Sequence, residues 1–90
     1  MTWLFLTIAS AAFAQSECRA LASDAERWQC EVRLGEAAIS HNDLPTAERQ
    51  FRAVLAQSPR HPAALRNLAR VLILREQFSA AIPFLEQALA

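Results

Sequence analysis

Arg66 and Arg70 stand four residues apart, the spacing that puts two side chains on one face of a helix. Two guanidinium groups so placed can hold a carboxylate, a chain terminus or an acidic strip on a partner, because each presents a rigid fork of N–H donors. The competing reading is that both are simply solvated. Cys18 and Cys30 form the second pair with chemistry in it. The remaining polar residues do not converge. His41 and His61 fall in a turn and a connector, where histidines are ordinarily solvated, and a metal site needs three or four converging ligands. Glu26, Glu31, Glu36 and Glu48 spread over helix faces. No nucleophile motif and no Gly-rich phosphate loop occurs. The expectation is a chain that binds rather than catalyses, with no cofactor and no metal.

Two cysteines suggest a disulfide if the chain is exported. Twelve residues of continuous helix would separate their Cα atoms by about 18 Å, whereas a disulfide needs less than about 7 Å. A Cys18–Cys30 bond therefore requires a chain reversal between them. Ser23-Asp24-Ala25-Glu26 offers one: it fits a capping box, with Ser23 as N-cap and Glu26 reaching back. A helix would start near Asp24, with residues 18–22 folded back along it. Such a staple is worth about 3 kcal/mol or a little less. The rivals are two buried thiols, a bond between two chains, or a redox pair.

The start of the chain supports export. Residues 3–14 are uncharged and mostly apolar, and end in Ala12-Phe13-Ala14, a small-x-small cleavage pattern. They read as a signal peptide (residues 1–14) cleaved after Ala14, leaving a periplasmic or secreted chain. The alternative is an N-terminal amphipathic or core helix. The run is too short to span a membrane, which takes about 20 residues, so the mature chain is expected to have no membrane span. The charges balance to zero but unevenly: residues 15–45 hold six acids and three arginines, residues 46–90 three acids and six arginines. That polarity can orient a partner or a second copy. It is too mild for nucleic acid, which needs a concentrated basic stripe.

The elements that would position these groups are helices. Trp28, Val32, Leu34, Ala38 and Ile39 predict a helix from about Asp24 to Ser40. His41-Asn42-Asp43 breaks it. Leu44-Pro45 opens a second helix, with the proline at its first position, and Ser58-Pro59 ends it after about Gln57. Pro62 opens a third helix with a stripe of Leu65, Leu68, Ala69, Leu72 and Ile73. Glu76-Gln77-Phe78 is read as a turn, Ser79 as the N-cap of a fourth helix, and Pro83 as lying in that helix's first turn.

These helices repeat. Leu34 maps on Leu68, Leu44 on Phe78, Ala47 on Ala81, Phe51 on Leu85 and Val54 on Ala88, each 34 residues apart. Trp28, Leu34-Gly35, Ala38, Ala47, Phe51, Val54 and Pro59 in the first copy resemble the tetratricopeptide repeat, as do Leu65, Leu68-Ala69, Leu72, Ala81, Leu85 and Ala88 in the second. There are departures: Glu31 takes an apolar slot that Leu65 fills in the second copy, and Ala38 and Leu72 stand where an aromatic is usual. The resemblance implies an all-α fold, a short α-solenoid of two antiparallel helix–turn–helix repeats (about 28–61 and 62–90, within a domain of 24–90 that follows an N-terminal segment, 15–23). It also implies an exported bacterial scaffold for protein–protein interaction. In this family the first helix of each pair lines the concave face, which places Val32 and Glu36 with Arg66, Asn67, Arg70 and Ile73 in a partner groove. Asn67 matches the asparagine of the family's carboxylate-clamp subset, but the rest of that clamp is missing, so its chaperone-tail function is not carried over. Gly35 inside a helix is expected to mark a close helix crossing.

The last helix leaves Ile82, Leu85 and Leu89 without an obvious cover. A homodimer or assembly segment built on that helix is therefore the rival reading. Residues 47–90 are also similar to the repeat region before the barrel of surface-lipoprotein assembly modifiers. That similarity makes the periplasmic front of a larger outer-membrane assembly protein a further alternative.

Overall fold

A computed structural model describes residues 17–90. The leader reading for residues 1–14, with its cleavage point, lies outside the described residues. Residues 17–20 make one helical turn and residues 21–23 reverse the chain. Four helices follow: α1 (Asp24–Ser40), α2 (Leu44–Gln57), α3 (Pro62–Leu74) and α4 (Phe78–Leu89). Each packs on the next, and α1 also touches α3, so two antiparallel hairpins stack side by side. There is no strand among the described residues.

The reversal before α1 is anchored three ways. The Glu26 N–H donates to Ser23 Oγ (3.1 Å), one arm of the expected capping box. Arg27 Nη1 donates to the carbonyls of Leu21 (3.0 Å) and Ala22 (3.4 Å). Cys18 and Cys30 are disulfide-bonded within the chain, with Cα atoms 5.5 Å apart, and Cys18 is fully buried. Among the described residues no cysteine is free.

Both hairpins turn in the same way. After α1 the Asn42 N–H donates to the Ile39 carbonyl (2.9 Å) and the Asp43 N–H to the Ala38 carbonyl (2.8 Å). After α3 the Glu76 N–H donates to the Ile73 carbonyl (2.9 Å) and the Gln77 N–H to the Leu72 carbonyl (2.8 Å). Each pair is a Schellman closure with one left-handed residue, Asn42 at φ 58° and Glu76 at φ 61°. Asparagine tolerates this conformation; for glutamate it costs about 1–2 kcal/mol.

Three details of the helix starts differ from the expectation. Leu44, not Pro45, is the first residue of α2, because Asp43 caps it through an Oδ1 that accepts from the Thr46 N–H (3.3 Å). Gln77, not Ser79, precedes α4, because the Schellman closure at Glu76 and Gln77 returns the chain early enough for Phe78 to begin the helix. Pro83 consequently lies inside α4 rather than in its first turn. Its missing N–H leaves the Ser79 carbonyl without a helical partner; both residues are exposed, so water can take that place.

The core runs between the hairpins. α3 is its central member, burying Ala64, Leu65, Leu68, Ala69, Val71 and Leu72, and Phe51 and Val54 of α2 are fully buried against the same cluster. Full burial of each large apolar side chain contributes about 1.5–3 kcal/mol. Small residues set how closely the helices approach. Ala47 is 0 % and Ala81 1 % exposed. At Gly35 an added Cβ would lie 2.6 Å from two atoms of the Phe51 ring. The ring thus occupies the volume that any other residue at position 35 would need, which is the close crossing expected for this glycine.

An alanine at position 35 gains about 1 kcal/mol of helix propensity but overpacks a fully buried ring at about 1–3 kcal/mol. The net loss for Gly35→Ala is therefore about 0–2 kcal/mol, and the bulkier Gly35→Leu should lower stability clearly in denaturant melts, with partial recovery in Gly35→Leu/Phe51→Ala. An unchanged midpoint would remove this packing role. Glu76→Gly relieves the left-handed glutamate and should raise stability by about 1 kcal/mol, while the same change in mid-helix, at Glu86, should lower it. The hydrogen bonds from Thr46 hold the Asp43 carboxyl below the ordinary aspartate range, outweighing its slight desolvation, with Arg49 adding to the effect. Because the folded pKa is depressed, its stabilisation is full above the ordinary aspartate pKa and is lost as pH falls through the folded value. Acid unfolding curves of Asp43→Asn should be flatter over that interval than those of the unsubstituted chain.

Candidate binding groove

The first helices of the two hairpins, α1 and α3, lie side by side, and an open cleft of about 600 Å³ runs between α1 and the start of α3. Trp28, Val32, Arg33 and Glu36 supply its α1 wall. Arg60, His61, Pro62 and Ala63 supply the other. Val32 is 5 % exposed and forms part of the floor, continuous with the core, whereas Glu36 is exposed at the rim.

One end of the cleft is fastened by side chains. Trp28 Nε1 donates to Gln57 Oε1 at the end of α2 (3.0 Å). The Trp28 and His61 rings meet edge to face, with centroids 6.4 Å apart. His61 is itself the N-cap of α3: its Nδ1 accepts from the Ala64 N–H (3.3 Å), which requires that nitrogen to be unprotonated. Trp28 therefore ties α1 both to the end of α2 and to the start of α3. On the opposite side Glu48 of α2 accepts from Arg52 Nε (3.0 Å) and, across the hairpin junction, from Arg75 Nη1 after α3 (2.8 Å).

Arg66, Arg70 and Ile73 continue from Ala63 along the same face of α3 at helical spacing. Both arginines are exposed, Ile73 is 42 % exposed, and Asn67 is half-buried a quarter-turn away. Of the six residues proposed from the sequence, Val32 and Glu36 line the cleft. Arg66, Asn67, Arg70 and Ile73 lie beyond it along α3 and do not line it. Arg33, Arg60, Arg66 and Arg70 make no ion pair with another described residue. Against Glu36, they make this side of the molecule basic.

Sequence reasoning placed Trp28 in the first helix's apolar pattern and in the repeat motif, without its partners, and took His61 as a solvated connector residue. The signal for His61 was its place directly before Pro62, the N-cap position of a proline-initiated helix. Trp28 gave no such signal, because its partners Gln57 and His61 are 29 and 33 residues away. Among the described residues no group of three or more His, Cys, Asp or Glu could hold a metal ion. No described helix is long and apolar enough to cross a membrane.

Two stacked helical hairpins with a 34-residue offset have a counterpart among known families. The tetratricopeptide repeat profile matches residues 32–90, about two thirds of the chain. The chain belongs to the tetratricopeptide repeat family. The match begins inside α1 and takes in α2, α3 and α4. No curated protein and no solved structure matches it. A tetratricopeptide unit points to a protein–protein interaction module, in a family that is typically a non-catalytic scaffold.

Proposed function

We propose that this chain is an exported interaction scaffold whose α1–α3 face holds a peptide segment or chain terminus rich in carboxylates. Arg66 and Arg70 carry the reading: they share one exposed face of α3, have no ion-pair partner among the described residues, and sit next to a cleft with Trp28 on its wall. Guanidinium forks match carboxylates in shape and charge, and the apolar floor at Val32 gives a neighbouring side chain somewhere to bury. The export half of the proposal is supported by the leader-like residues 3–14 and by the Cys18–Cys30 bond, which suits an oxidising compartment. The periplasm or the extracellular space is the proposed location.

The groove is testable with an acidic peptide and the Trp28 emission. Binding should change the fluorescence, weaken as salt rises, and lose about tenfold in affinity in Arg66→Ala/Arg70→Ala, the equivalent of about 1.4 kcal/mol. A crosslinking pull-down from the compartment where the chain resides gives the parallel cellular test. Equal recovery of every partner by this variant and the unsubstituted chain would reject the groove.

A further inference from the structure

At the leading edge of the first hairpin, Arg19, Glu31, Thr46, Arg49, Gln50 and Ala53 line a pocket of about 210 Å³. It shares no residue with the α1–α3 cleft. We propose that this pocket binds a free acidic amino acid, with Arg19 and Arg49 taking its two carboxylates and Glu31 its ammonium group.

The repeat itself does not require polar residues here. Thirty-four residues on, the positions of Glu31, Thr46, Arg49 and Gln50 are held by Leu65, Ala80, Pro83 and Phe84, all apolar. Leu65 is 2 % exposed and Phe84 packs against the core. The end of a repeat stack needs a polar outer face for solubility, and exposed side chains alone would supply it. Gln50 is a different case. It is only 8 % exposed, its side chain makes no hydrogen bond with another described residue, and it lines the pocket. Among the described residues no buried side-chain nitrogen or oxygen is cut off without a partner. The Gln50 amide therefore keeps its access through the pocket, with donors and acceptor ready for a ligand.

The charges around the pocket are unpaired as well. Arg19, Arg49 and Glu31 make no ion pair with a described residue, and residues 1–16 contain no acid that could neutralise the arginines. Asp43 feels the charge of Arg49 but does not line the pocket. Arg49 Nη2 donates to Thr46 Oγ1 (3.1 Å), which steadies the guanidinium and leaves the rest of its fork for a ligand. Two guanidinium groups against one carboxylate leave the lining with one net positive charge. A zwitterion with two carboxylates and one ammonium matches these groups one for one and cancels that charge. Only the free amino acid carries all three, because a peptide bond removes the amine or the α-carboxylate.

The disulfide assembles the site. Arg19 follows Cys18 and Glu31 follows Cys30, so the bond that holds those cysteines with Cα atoms 5.5 Å apart also brings the two charged residues to one pocket. Thr46, Arg49, Gln50 and Ala53 supply the other wall from one face of α2. Binding thus requires the oxidised bond.

Calorimetric titration of L-glutamate into the oxidised chain should show saturable one-to-one binding that weakens as salt rises. Arg49→Ala and Gln50→Phe should each lower the affinity about tenfold. Gln50→Phe installs the residue that the second hairpin carries at this position, and unchanged helical circular dichroism checks the fold of both variants. Glutarate, with both carboxylates and no amine, should bind about tenfold more weakly than L-glutamate, and Glu31→Gln should erase that preference. Reducing the disulfide should abolish binding while the helical signal of the repeats remains. Arg66→Ala/Arg70→Ala should leave binding intact, which separates this site from the groove. No saturable heat from L-glutamate, undiminished affinity in Arg49→Ala, equal affinity for glutarate, or full binding by the reduced chain would each overturn the proposal.

Discussion

The Phe51 ring occupies the space where residue 35 would carry a side chain, and the rest of the arrangement follows from that contact. Because Gly35 yields, α1 and α2 cross closely enough for Phe51 to be buried completely. The same crossing brings the end of α2 within reach of Trp28, so Gln57 can accept its indole N–H. His61 then meets the far edge of the indole and caps α3, which fixes where the second hairpin begins. In the second hairpin Ala69 and Leu85 occupy the matching places, and Leu85 keeps 38 % exposure. The difference lies in the cover: α3 lies over Phe51, and no described residue does the same for Leu85.

The repeat was legible because it is written in side-chain volume. Small and large residues recur 34 apart at positions where two helices either approach or leave a groove: Ala47 and Ala81 are both buried, and Phe51 is buried where its counterpart Leu85 is partly exposed. The disulfide was legible as one of four readings, since Ser23 offered a reversal that could bring Cys18 back to Cys30, and the structure selects it. The uncovered residues of α4 were legible by comparison with their covered counterparts on α2. Less visible were features decided by the backbone or by distant partners. Nothing in the residue types of Arg75-Glu76-Gln77 announces a left-handed residue, so the start of α4 was placed two residues late and Pro83 too near its beginning. Among the candidate residues, the shared helix face of Arg66 and Arg70 was legible in their spacing, and the structure leaves both exposed beyond the cleft. Trp28 and His61 depend on contacts about thirty residues away, which local pattern does not carry.

The molecule offers two surfaces with different physics. The α1–α3 side is polar, with arginines around a shallow apolar floor, and its attractions are of the kind that salt screens within about 10 Å. The α4 side is almost uncharged, and its attraction scales with the apolar area removed from water. The two sides belong to different helices, α1 with α3 on one and α4 on the other.

The Cys18–Cys30 bond reaches further than its contribution to stability. It holds the segment ahead of α1 against the first hairpin and buries Cys18 in doing so, while the repeats themselves close through Gly35, Phe51 and the α3 core. In a reducing solution that segment would be held only by the Arg27 hydrogen bonds to Leu21 and Ala22 and by its own packing. The redox state of the surroundings thus decides how firmly the segment ahead of α1 is held against the first hairpin.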